Sequence, residues 1–161
     1  MDNPLEKFER FTRKAHELIE KLLETTDELH PLDVRNIHPE IMAVSQKLFD
    51  DGHYPQATFE AYKFIDKEVH RLSYVNESGY KLMMLAFNET SPKIKLTNLE
   101  NTSEIDEQMG YKFIFAGAVM AIRNPRGHEY SYSETVVQCL DHLSLASLLK
   151  RKLDNLISNV T

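Results

Sequence analysis

Arginine and histidine are the side chains with which a protein most readily handles a phosphodiester, and Arg123-Asn-Pro-Arg-Gly-His128 carries one at each end. Arginine presents a permanent charge on a planar fork that matches two phosphate oxygens. Histidine, with an intrinsic pKa near ~6.5, gives or takes a proton around neutrality. Asn124 adds a neutral donor and acceptor, and Arg126 a second positive charge. Tyr130 and Tyr132, just beyond, offer aromatic faces on which a base can stack. No acidic residue lies between Ile122 and His128, so the cluster is locally positive in a chain of net charge −6. Such a distribution repels polyanions from most of the surface and keeps one place for them. The same residues also admit a plainer reading, in which Arg123 offsets the negative end of a helix and His128 is a turn residue.

Other chemistries lack the residues they need. Cys139 is the only cysteine, which excludes an internal disulfide and the usual structural zinc site. It stands between Val136 and Leu143 at helical spacing and reads as a buried small apolar side chain rather than a nucleophile. His16, His30, His38, His53, His70 and His142 are scattered, without His-Glu-x-x-His or Asp-rich metal spacings, and default to helix-end or surface roles. There is no Gly-rich phosphate loop and no serine nucleophile motif, so nothing carries ATP hydrolysis or acyl transfer. No cofactor is implied.

The elements that must position Arg123 and His128 read as helices, and the expected fold class is all-α, a bundle of about five main helices. At 161 residues with 42% hydrophobic content and no low-complexity tract, the chain has the composition of a soluble globular protein. Its charged start lacks a signal-peptide core. Its longest apolar run, Phe113 to Ile122, is half of what a membrane-spanning helix requires. A cytoplasmic location without membrane contact is expected. Two parts are expected: an N-terminal helical extension over 1–33, packed on the bundle, and a helical domain over 34–161.

Residues 5–29 carry Leu5, Phe8, Phe11, Ala15, Leu18, Ile19, Leu22 and Leu23 in three- and four-residue steps, an amphipathic helix. A second helix over Pro39–Asp51 stops at Gly52, and a third starts near Pro55 with Ala57, Ala61, Phe64, Ile65 and Leu72 inward. This hairpin resembles one tetratricopeptide unit, but no copy recurs near a ~34-residue spacing, so an array is not expected. Tyr80–Phe87 reads as a short helical piece. Residues 88–103 read as a long connection, either a functional flap or a plain surface loop, with a small strand at Lys93–Thr97 and Ser103 as the next helix cap. Phe113–Ile122, apolar on every side, predicts a central helix surrounded by others. Pro125 predicts that this helix ends at Arg123 or Asn124 and that the chain turns through Gly127. Ser131-Tyr-Ser-Glu134 has the capping-box pattern for the last helix, whose buried side is expected to include Val136, Val137, Leu140, Leu143, Leu148, Leu149 and Leu153. Lys150-Arg-Lys152 reads as a solvated run complementing the helix end rather than an RNA track.

Arg123-Asn-Pro-Arg-Gly-His128 resembles the signature of the HEPN superfamily, an arginine followed after four to six residues by histidine, often with a polar residue directly after the arginine. Glu107-Gln-Met-Gly-Tyr111, Phe115-Ala-Gly-Ala118 and the hairpin around Leu48-Phe-Asp-Asp-Gly-His-Tyr54 are similar to the uncharacterised Ymh-like branch, over about residues 38–155. The resemblance implies a helical bundle that dimerises with two motifs facing one cleft. In many members it also implies metal-independent endoribonuclease activity in toxin, antiphage or RNA-processing settings, sometimes with an antitoxin or regulatory partner. By position, Arg123 and His128 match the defining pair and Asn124 the polar follower. Arg126 falls in the variable interior. It is expected, with Tyr130 and Tyr132, to contact RNA through its charge alone. The alternative implied by the superfamily is a non-catalytic dimeric module that binds a nucleotide or a partner protein.

Overall fold

Three helix starts are written as histidine and proline together. In the computed structural model, the imidazole Nδ1 atoms of His30 and His38 accept the backbone N–H groups of Leu32 and Glu40, each at 3.2 Å. The proline that follows each histidine occupies a first-turn position where a missing N–H costs nothing. The structure describes residues 3–27, 29–128 and 131–158, without the side chains of residues 4, 6, 21–27, 128, 157 and 158. Its helices are α1 (Pro4–Asp27), α2 (Pro31–Val34), α3 (Pro39–Asp50), α4 (Tyr54–Ser73), α5 (Gly79–Ala86) and α6 (Thr102–Ala118). A π turn (Val119–Arg123), α7 (Asn124–His128) and α8 (Val136–Ser158) follow. No strand occurs among the described residues, so the fold is all-α and Lys93–Thr97 is irregular rather than extended.

The chain divides into two compact units, Met1–Arg35 and Asn36–Thr161. In the first, α1 is the amphipathic helix its spacing predicts. In the second, the centre is α4 rather than the apolar stretch Phe113–Ile122. α4 packs against α3, α5, α7, α8 and the π turn. Ala57, Thr58, Ala61, Tyr62, Ile65 and Val69 are buried along it, and the small members let neighbouring helices approach closely. α3 ends as expected, with Gly52 at φ +78° in the left-handed conformation that glycine tolerates.

α6 differs from the sequence expectation. Phe115, Ala116, Ala118 and Val119 are buried, with Phe115 stacked on Phe87 at 4.5 Å. Phe113, Ile114 and Met120 are 55%, 43% and 52% exposed. A helix that is apolar on all sides is thus covered on one side only. Its start is capped by Asn101, whose Oδ1 accepts Glu104 N–H at 3.1 Å, rather than by Ser103.

The long connection before α6 is held from inside. Gln108 on α6 is fully buried; its Oε1 accepts Leu96 N–H at 2.7 Å, and its Nε2 donates to Ile94 O at 2.9 Å and Phe87 O at 3.2 Å. Ile94 and Leu96 are buried beside it. One amide side chain therefore replaces the ladder that a strand would have supplied.

α8 buries Cys139, Leu143, Ala146, Ser147, Leu149, Lys150 and Leu153, while Val136, Val137 and Leu148 are exposed. Its capping box is Thr135-Val-Val-Gln138: Thr135 Oγ1 accepts Gln138 N–H and Gln138 Oε1 accepts Thr135 N–H at 3.0 Å. Ser131-Tyr-Ser-Glu134 does not cap, because Glu134 is drawn into the core by the partners described below. Lys150-Arg-Lys152 lies inside α8 rather than at its end, and each cation is engaged. Lys150 pairs with Glu40 and Asp154, Arg151 donates to Asn36 O, and Lys152 pairs with Glu107.

Candidate active site

The helix carrying Arg123 does not stop at Pro125. Asn124 keeps helical angles (φ −63°, ψ −45°) and donates its amide to Val119 O, five residues back. This wider π turn resets the hydrogen-bond ladder, so α7 restarts at Asn124 with Pro125 in its first turn, a position that proline tolerates. The expected turn through Pro125–Gly127 is replaced by helix up to His128. Arg123 and His128 therefore sit on one continuous helical run, about 7.5 Å apart along its axis at ~1.5 Å per residue. The side chain of His128 and all of Tyr130 lie outside the described residues.

The two arginines of the motif part company. Arg126 is turned inward: its side chain is 2% exposed, and its Nε donates to Glu134 Oε2 at 2.7 Å. Its Nη1 donates to Ile122 O at 2.6 Å, and its guanidinium lies 4.6 Å from the centre of the Tyr132 ring. The carboxylate of Glu134 is fully buried and also accepts Thr58 Oγ1 at 3.0 Å and His142 Nδ1 at 2.6 Å. Burial opposes its charge, but the bonds from His142 and Arg126 outweigh that and hold its pKa below the usual carboxylate value. An ionised Glu134 has no proton to give, so His142 Nδ1 is the donor, and the 3.1 Å approach of Arg126 Nη2 to that atom is a contact rather than a hydrogen bond. The expected contact of Arg126 with RNA gives way to a structural role, because a buried guanidinium satisfied by a carboxylate and a carbonyl has no face to offer. Tyr132 remains 39% exposed with Arg126 against its ring.

Arg123 is the converse. No carboxylate pairs with it among the described residues. Its Nη1 donates to Asn124 Oδ1 at 3.2 Å, and its guanidinium lies 5.6 Å from the centre of the Phe59 ring. Its Nε is buried with no hydrogen-bond partner among the described residues. An unmet donor on a charged group costs free energy unless a ligand supplies an acceptor. Phe59 also lies against Gly127, where an added Cβ would stand 2.8 Å from Phe59 Cε2. One ring thus supports both the arginine and the end of α7. Sequence reading missed Phe59; the signal available was an aromatic set off the buried stripe of α4.

The remaining candidates are structural. Burial pushes the Cys139 thiol up to about 11, which keeps it protonated at neutral pH. Among the described residues, His38, Glu40 and Asp154 bring three possible metal-ligand atoms together, but the Lys150 ammonium bonds both carboxylates and supplies the positive charge there.

The fold and site define an all-helical domain presenting one arginine, free of carboxylates among the described residues, on a π-distorted helix. The chain belongs to the family described as "Protein of unknown function (Hypoth_ymh)", whose model matches residues 35–153. No curated protein and no solved structure matches it.

Proposed function

We propose that the protein is a HEPN-like endoribonuclease that cleaves RNA by attack of a 2′-hydroxyl on the adjacent phosphate. The observation that carries this reading is the contrast between the arginines: Arg126 is consumed by Glu134, whereas Arg123 keeps a donor with no partner among the described residues, on the helix that leads to His128. In this reaction the O2′–P bond forms and the P–O5′ bond breaks, leaving a 2′,3′-cyclic phosphate and a 5′-hydroxyl. His128 transfers the proton, and Arg123 stabilises the charge that builds on the phosphorane. Asn124, whose amide oxygen already holds Arg123, fixes the fork. None of these roles calls for a metal ion.

In-line cleavage takes a proton on one side of the phosphorus and returns one on the other, and one histidine is poorly placed for both. We therefore assign the cleft to two copies of the chain. The bare side of α6 supports this: Phe113 and Ile114, and Met120 in the π turn that follows, are exposed, and an added Cβ at Gly110 or Gly117 would meet nothing. Mixing wild type with the Arg123→Ala/His128→Ala double variant tests the arrangement. After subunit exchange, activity should fall as the square of the wild-type fraction. A linear fall, or full activity from a monomer, would reject the shared cleft. RNA left intact in EDTA across varied substrates, with nucleotide or protein binding retained, would replace the enzyme with a binding module.

A further inference from the structure

Two partly exposed rings stand against the buried pair of Arg126 and Glu134. The Arg126 guanidinium lies 4.6 Å from the centre of the Tyr132 ring, and its Nη2 lies 3.1 Å from His142 Nδ1. The pair itself is fully enclosed, with side chains 2% and 0% exposed, whereas Tyr132 and the His142 side chain remain 39% and 26% exposed. His142 is fixed at two points: Nδ1 donates to Glu134 Oε1 at 2.6 Å, and its backbone carbonyl accepts the Tyr62 hydroxyl at 2.9 Å. Because Nδ1 carries the proton given to the carboxylate, Nε2 of the neutral ring is an acceptor. No described residue bonds Nε2, and Tyr132 makes no hydrogen bond among the described residues.

We propose that Tyr132 and His142 form a nucleobase subsite, in which the base stacks on the Tyr132 ring and its exocyclic amino group donates to His142 Nε2. This rests on the nuclease reading of Arg123. Arg126 follows Arg123 by three residues, about 4.5 Å along the same helical run, so the two rings border the arginine assigned to the phosphate.

The chemistry of the surface selects the ligand. Arg126 and Glu134 cancel each other's charge, so the ground behind the rings draws neither a phosphate nor a carboxylate. One open imidazole nitrogen beside a guanidinium is too few ligands for a metal ion. An aromatic face next to a lone acceptor suits a neutral, planar group with an N–H donor. Adenine, cytosine and guanine carry such an amino group and uracil does not. The rings are also set in place before any ligand arrives, since the ion pair holds both, and a preformed platform loses little entropy on stacking.

Fluorescence anisotropy of the full chain with labelled 2′-O-methyl oligocytidylate and oligouridylate tests this, because the two bases match in ring size and differ in the amino group. Tyr132→Ala removes the platform and should weaken both probes roughly 10-fold. His142→Asn is the sharper variant: its amide nitrogen stands where Nδ1 stood and still donates to Glu134, while nothing replaces Nε2. It should weaken oligocytidylate about fivefold and leave oligouridylate unchanged, with a melting temperature near that of wild type. Equal effects of His142→Asn on the two probes, or full affinity in Tyr132→Ala, would overturn the subsite. If His142→Asn does not fold, Tyr132→Ala decides alone. Arg123→Ala separates the two readings: affinity lost there but kept in Tyr132→Ala removes the subsite and leaves the nuclease. Binding of neither probe by wild type would also overturn the subsite, and cleavage of RNA in EDTA still judges the nuclease independently.

Discussion

Replacing Glu134 with glutamine keeps the shape of the side chain and removes only its charge. In the native protein that carboxylate, with no exposed surface, neutralises a guanidinium that is 2% exposed. Glu134→Gln therefore leaves Arg126 buried beside a neutral amide, still bonded to Ile122 O but without its counter-charge. Breaking a buried pair from one side costs about 3–5 kcal/mol. At a urea dependence of about 2 kcal/mol per molar, that moves the denaturation midpoint down by roughly 2 M. The pH profile adds a second signature. The Glu134 pKa is lowered in the folded state, so its stabilisation is fully present above its unfolded value of about 4.3 and is lost as pH falls through the folded one. The gap between wild type and Glu134→Gln should thus be constant near neutrality and shrink in acid. Replacing both partners, Arg126→Met with Glu134→Leu, should recover only part of the loss: it removes both buried charges but leaves Thr58 Oγ1, His142 Nδ1 and Ile122 O without the partners they have here. A Glu134→Gln protein within about 1 kcal/mol of wild type at pH 7, by urea titration, would refute the claim that the motif's second arginine is locked inside.

Three further outcomes check other parts of the structure. Gln108→Leu strands the buried amide of Leu96 and the carbonyl of Ile94; it should cost about 3 kcal/mol and speed hydrogen exchange at Leu96, whereas slow exchange there would show that the connection is held otherwise. Thr135→Ala should cost about 1 kcal/mol through loss of the cap, while Ser131→Ala should stay within about 0.5 kcal/mol; the reverse order by thermal melting would restore the Ser131–Glu134 box. Phe113→Glu, at a site 55% exposed, should leave each chain folded and lower the mass measured by light scattering if α6 faces a second copy. An unchanged mass would remove α6 from any interface.

Much of the helical order was legible because it is local. Gly52 as a stop, the start of α3 at Pro39, and the stripe of α1 each follow from a few neighbouring residues. What was not legible depended on distant partners. Pro125 reads as a helix end by its own geometry, yet the π turn across Val119–Arg123 absorbs its missing donor. Glu134 reads as a capping residue from its spacing to Ser131, but Arg126, Thr58 and His142 offer its carboxylate more than a helix start does. Arg123 and Arg126 were indistinguishable as letters three positions apart. Only packing shows which is spent on an internal ion pair and which keeps a donor unpartnered among the described residues. The exposed side of α6 was hidden for the same reason, since an apolar run does not state which of its faces the chain's own helices cover.

The most direct test of the account is the fate of RNA given to purified protein in EDTA, read from its product ends. Cleavage by wild type should yield 2′,3′-cyclic phosphate and 5′-hydroxyl termini, and a substrate with 2′-O-methyl groups should survive. Arg123→Ala and His128→Ala should lose at least about 100-fold in rate, the loss expected on removing one charge-stabilising or proton-transferring group, while their melting temperatures stay near that of wild type. Cleavage of the 2′-O-methyl substrate, or activity undiminished in Arg123→Ala, would contradict the assignment of this arginine to the reacting phosphate.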